Sequence, residues 1–151
     1  MPYSAAIPED IRFGYGVRFC LREFLLPGRP LFICGKHSEL RIREEWNNSG
    51  IDFDIVTVSG ELPLHELEDI LSLARKENYR NFIGWGGGSA MDCAKAMTYF
   101  AKCGCPLVAV PTTSGTGSET TVAAVITDSA THHKLYSSVC SSSLAIYTVM
   151  P

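Results

Sequence analysis

No apolar run in this 151-residue sequence approaches the roughly 20 residues that a membrane-crossing helix needs, so a transmembrane helix is excluded. Basic charge is also short. Thirteen Lys and Arg stand against sixteen Asp and Glu, a formal charge of -3, which speaks against a partner bound through a nucleic-acid backbone. The opening Met1-Pro2-Tyr3-Ser4 lacks a basic patch and an apolar core, so no secretory leader is expected and a cytoplasmic location is. Cysteine is present six times but never as Cys-x-x-Cys, which removes the zinc ribbon. The one close pair, Cys103-Gly104-Cys105, fits neither a redox helix nor a metal knuckle, and free thiols of a reducing compartment are expected. Histidine is scarce: His37, His65, His132 and His133. Neighbours on a strand point to opposite faces, so His132-His133 reads as a solvated hairpin tip rather than a metal site.

What is present is an alternation of strand-length apolar runs with segments of helical period. Leu31–Cys34 is a short buried strand after Pro27-Gly28-Arg29-Pro30, and a helix capped by Ser38 runs to about Asn47, closed by Asn48-Ser49-Gly50. Phe53–Val58 is a second strand. Leu64, Leu67, Leu71 and Ala74 form one apolar helix face. Phe82–Trp85 is a third strand, Ala90–Phe100 a third helix, and Leu107–Val110 a fourth strand stopped by Pro111. This order predicts an α/β fold, a Rossmann-like parallel sheet with crossover helices. Thr120–Thr127 and Leu144–Thr148 are apolar and β-branched, joined by polar residues, and predict a C-terminal β-hairpin region. Residues 1–151 read as one domain, long enough to bury its own core.

Two motifs carry chemistry. Gly86-Gly87-Gly88-Ser89-Ala90-Met91-Asp92-Cys93-Ala94-Lys95 follows a strand and opens a helix. Glycines there let the backbone approach a pyrophosphate, and free helix N–H groups favour its charge. Ser89 and Asp92 have the spacing of a capping box. The second motif, Pro111-Thr112-Thr113-Ser114-Gly115-Thr116-Gly117-Ser118-Glu119, holds five hydroxyl residues and two glycines at a strand's carboxyl end, where ligands of open α/β sheets sit. Other nucleotide signatures fail. Gly14-Tyr15-Gly16 begins a G-x-G, but Phe19 takes the third glycine's place, and Gly35-Lys36-His37 lacks the spacing and hydroxyl of a P-loop.

In this order and separation the two motifs resemble the iron-containing (group III) alcohol dehydrogenases, a superfamily that also holds glycerol dehydrogenases and dehydroquinate synthases. The resemblance covers nearly the whole chain, from Ile11-Arg12-Phe13-Gly14-Tyr15-Gly16, like the family's opening strand, to Ile126-Thr127-Asp128 followed by Lys134. It implies an NAD(P)-dependent oxidoreductase acting on a small alcohol or aldehyde, with ferrous iron polarising the substrate oxygen. The cofactor-binding residues it implies are Gly35, Gly86, Gly87, Gly88, Ser89, Asp92, Thr112, Thr113, Thr116, Ser118 and Lys134. Of these, Gly87, Gly88 and Ser89 would meet the pyrophosphate, Thr112, Thr113 and Thr116 the nicotinamide-ribose side, and Lys134 the ribose. No catalytic residue is expected in this chain.

The family's metal ligands, one Asp and three His, belong to a helical second domain, and the chain reaches Pro151 before it. The expected role is therefore the cofactor-binding half, inactive alone and uncovered on one apolar side. A non-catalytic dinucleotide module or relic fragment, and a glycerol dehydrogenase or dehydroquinate synthase-like activity, are the alternatives. Gly35 stands where the family often has Asp at the end of the second strand, beside Lys36 and His37; this tilts the cofactor expectation from NAD to NADP. A homodimer joined through Ile11–Phe13 is expected, with neither nucleic acid nor membrane as partner. Two departures from the family pattern stand out: Ser142-Ser143 and Thr148-Val149 replace Pro-Asp and Asp-Pro, and Leu62 in Glu61-Leu62-Pro63 replaces a polar cofactor contact.

Overall fold

A computed structural model describes residues 8–102, 104–128, 130–131, 133–138 and 143–148, with the backbone alone for 135–138 and 143–148. The expectations placed on Met1–Ser4, Cys103, His132, Cys140, Ser142 and Val149 lie outside the described residues. In chain order the elements are β1 (Asp10–Gly14), a 3-10 helix (Val17–Phe24), β2 (Leu31–Cys34), α1 (Lys36–Trp46), β3 (Asp54–Thr57), α2 (Leu64–Glu77), β4 (Phe82–Gly86), α3 (Gly88–Ala101), β5 (Leu107–Pro111), a 3-10 turn (Ser118–Thr120), β6 (Ala123–Thr127), β7 (Lys134–Ser138) and β8 (Ser143–Thr148).

Six strands form one sheet in the order β1-β8-β5-β4-β2-β3, every neighbour parallel. Parallel strands need crossovers, and crossovers put helices on both faces, so central strands are apolar at every residue rather than at alternate ones. β2 shows this directly. Leu31 and Ile33 join one core with α2 and α3, while Phe32 and Cys34 join the other with Leu21, Ile42 and Trp46. β4 divides likewise, Phe82 to the first core, Ile83 and Trp85 to the second. At Gly84 an added Cβ would lie 3.0 Å from both the Ala94 Cβ and the Met91 Cα, so glycine there sets how closely α3 lies on the sheet.

The expected parallel sheet with crossover helices is present, and its last third differs from expectation. The partner of β6 is β7, an antiparallel strand that the sequence did not announce; it is not Leu144–Thr148. That run is β8, and it inserts between β1 and β5 in the main sheet. Local composition marks a strand but not its partner, because β-branched residues suit either arrangement. The β6–β7 hairpin docks on the turn before α2: the Thr127 amide donates to the Leu62 carbonyl at 2.8 Å, and Ala124 and Ile126 enter the first core. Leu62 itself is 2% exposed and belongs to that core. α1 starts two residues before Ser38, with Gly35 as its N-cap. Cys20, Cys34 and Cys93 are free thiols as expected, whereas Cys105 is disulfide-bonded. Compartment sets the redox bias, but the local geometry of two sulfurs decides whether they can join.

Candidate functional site

β2 leads outward to β3, and the chain then returns past β2 to lay down β4 and β5 on the other side. Connections leaving β2 and β4 therefore run in opposite directions, and a crevice opens at their carboxyl ends. A cleft of about 180 Å³ occupies that place, lined by Gly35, Val58, Gly60, Gly87, Gly88, Ser89 and Ala90. Its walls are almost entirely backbone and small side chains. Such a surface admits a bulky polar chain and offers amides rather than side-chain charges.

The glycines of the first motif build the cleft's floor. Gly86 ends β4 at φ +151°, a conformation that L side chains rarely adopt, and a Cβ there would lie 3.3 Å from that of Ala90. Gly87 is the N-cap of α3, and a Cβ on it would lie 3.1 Å from the Thr113 Oγ1. The expected capping box is absent: no side chain caps α3, the Ser89 hydroxyl donates to the Gly60 carbonyl, and the Asp92 carboxylate turns to other partners. No acidic residue occupies the first turn of α3 either. No acidic side chain of the helix's own first turn thus opposes the partial positive charge of this end, which favours an anion.

The second motif packs against the glycine turn of the first. The Thr112 amide donates to the Gly86 carbonyl at 2.9 Å, joining the two motifs at their roots. Thr113 then lies over Gly87, and Thr116 lies 3.7 Å from the position of a Cβ on Gly88. Gly35 sits across the cleft at the end of β2 with φ −75°, and Lys36 and His37 beside it are exposed. Lys134 opens β7 and pairs with Glu61 at 2.9 Å, next to Gly60 on the cleft's rim. Burial pushes the Cys34 thiol up to about 11, so the sulfur beside Gly35 stays protonated and supplies no nucleophile.

Two of the expected contact residues face inward. The Ser118 hydroxyl donates to Asp92 Oδ1, and the Val125 amide donates to Asp92 Oδ2 at 3.1 Å. Between them lies Lys95, which the sequence reading passed over. It is 2% exposed, and its ammonium donates to the Ala123 carbonyl (2.7 Å), Ser118 Oγ (2.8 Å), Asp92 Oδ1 (3.1 Å) and Thr121 Oγ1 (3.2 Å). Burial pushes its proton affinity down, and the Asp92 and Glu119 carboxylates pull it back up. Val58, Gly60 and Ala90 were also missed. Their signal was positional only: Val58 and Gly60 follow a strand at the same sheet end, and Ala90 is in the helix turn that follows.

Among the described residues no group of three or more His, Cys, Asp or Glu could hold a metal ion. His37, His65 and His133 are each exposed. No helix among the described residues is long and apolar enough to cross a membrane.

The family model for iron-containing alcohol dehydrogenases matches residues 8–149. The 1-propanol dehydrogenase of Salmonella typhimurium is 60% identical over 50 residues, covering 30% of this chain and 14% of that protein. A glycerol-1-phosphate dehydrogenase of Natronomonas pharaonis is 30% identical over 114 residues, 70% of this chain and 32% of that protein. In three dimensions the chain is similar to the sulfoacetaldehyde reductase of Bifidobacterium kashiwanohense, solved in complex with NAD+: TM-score 0.79 at 23% identity, over 99% of this chain and 46% of that one. The chain thus spans less than half the length of these relatives.

Proposed function

Because the chain belongs to the iron-containing alcohol dehydrogenase family, we propose that it supplies the dinucleotide-binding half of an NAD(P)-dependent oxidoreductase of small alcohols and aldehydes. The supporting observation is the cleft at the sheet's switch point, floored by Gly86–Gly88 at an uncapped helix N-terminus. The pyrophosphate would rest on the amides of Gly87, Gly88 and Ser89, where a Cβ on Gly87 would crowd the Thr113 hydroxyl. Thr112, Thr113 and Thr116 would orient the nicotinamide ribose, with Lys134 at the rim. Gly35 would face the adenosine ribose, and its missing carboxylate, with Lys36 adjacent, favours NADPH over NADH. Asp92 and Ser118 would act from behind, by holding the threonine loop.

When bound, the nicotinamide accepts or delivers the hydride. This chain's part is to fix the ring's position and to keep the pyrophosphate charge matched. The described residues do not fit an iron ion, so no step is assigned to a metal that they hold. A homodimer, and freedom from turnover by this polypeptide alone, belong to the same reading.

Titration of NADH and NADPH into the 151-residue chain, followed by cofactor fluorescence, tests it. Micromolar-range binding is expected, lost in Gly87→Val, whose β-branched side chain fills the cradle. Ferrous iron, propanol and NAD+ or NADP+ added together should then give no reduced cofactor. A folded wild-type sample that binds neither form at about millimolar concentration, near 4 kcal/mol, overturns the proposal.

A further inference from the structure

We propose that Lys95 is a positioning residue whose ammonium fixes the height of the Thr112–Gly117 loop over the Gly87–Gly88 turn, and so sets affinity for the nicotinamide half of the cofactor. This rests on the cofactor reading above. The loop leaves β5 tied by one backbone bond, Thr112 to Gly86, and its residues 113–116 are exposed. At its far end the backbone turns through Gly117 at φ +63° into Ser118, which is buried. Ser118 meets Lys95 and Asp92 together, its oxygen accepting from the ammonium while its proton goes to the carboxylate. Lys95 also holds Thr121 and the Ala123 carbonyl, so one side chain of α3 fastens the stretch from Ser118 to Ala123 that follows the loop. Asp92 is filled by Lys95, Ser118 and the Val125 amide. The helix that presents its N-terminus to the pyrophosphate therefore also carries, two turns on, the clamp for the second motif's loop.

A fold-stabilising ion pair would serve both halves of the cofactor alike, whereas a loop clamp serves one. The test compares NADPH with ADP, which needs the Gly35 and Gly86–Ser89 side only, in wild-type chain and Lys95→Met. The variant should bind NADPH about tenfold more weakly, 1.4 kcal/mol, with ADP changed less than about twofold. Amides 113–117 should exchange hydrogen faster while those of β4 and β5 keep their protection. Equal weakening of both ligands, or no change in either, overturns the proposal. Should Lys95→Met fail to fold, Ser118→Ala and Thr121→Val remove one acceptor each, and graded losses of about threefold on NADPH alone are expected. If wild-type chain binds neither ligand, the cofactor reading falls. Exchange at amides 113–117 then still decides the clamp: faster in the variant supports it, unchanged overturns it.

Discussion

Glycine carries opposite meanings at Gly84 and Gly35. Gly84 is required by its neighbours, for a Cβ there meets Ala94 and Met91 at 3.0 Å. Gly35 is required by nothing around it: φ is −75° and an added Cβ meets no atom within 4 Å. A carboxylate can thus be installed at Gly35 without strain, and it would repel a 2′-phosphate while accepting from ribose hydroxyls. Wild-type chain is expected to bind NADPH about tenfold more tightly than NADH, 1.4 kcal/mol, and Gly35→Asp to reverse that order. Equal or tighter NADH binding by the unaltered chain would contradict the preference. That Gly35, Gly87, Gly88 and Ser89 meet in one cleft was legible because each sits in a short stretch after a strand. Lys95 was not. Three residues after Asp92 it reads as an ordinary solvated helix pair, and its burial comes from the distant segment Ser118–Ala123 that its ammonium meets.

Among elements, the boundaries of β2, β4 and β5 were readable to within a residue, since apolar run and breakers agree there. The Val17–Phe24 3-10 helix was not, although its apolar and basic residues segregate at helical spacing. β7 escaped for a different reason: Lys134-Leu135-Tyr136-Ser137-Ser138 is short, half polar, and meaningful only beside β6. The 3-10 helix is held to α1 by Glu45, which accepts from Arg18 at 2.8 Å and Arg41 at 2.9 Å. Burial would raise the Glu45 carboxyl, but the two guanidinium groups outweigh it and hold it below the usual carboxylate range. A folded pKa below the unfolded one contributes stability above the unfolded value, lost as pH falls through the folded value. Glu45→Gln should therefore lower stability at neutral pH by about 1–3 kcal/mol, with a smaller loss under acid. Urea midpoints between pH 7 and 3 measure this; a deficit that stays constant with pH would refute the assignment.

At the scale of the whole molecule, β1 stands at the sheet's edge and leaves Ile11, Phe13 and Tyr15 at 51%, 75% and 78% exposure. An apolar edge strand is a template for another chain. Light scattering is expected to show dimers or larger species, and a clean monomer at high concentration would exclude self-association through this edge. The parallel fold was visible in the sequence because strand and helix alternate, but the place of β8 was not, since it depends on a partner at the other end of the chain. That placement has a consequence in time. Asp10 pairs with Leu144 and Gly14 with Thr148, so β1 cannot take its place beside β8 until residues 144–148 have been made. At about 5–20 residues per second, β1 waits on the order of ten seconds for that partner. Synthesis, rather than the finished protein, is when this chain is most open to mispairing.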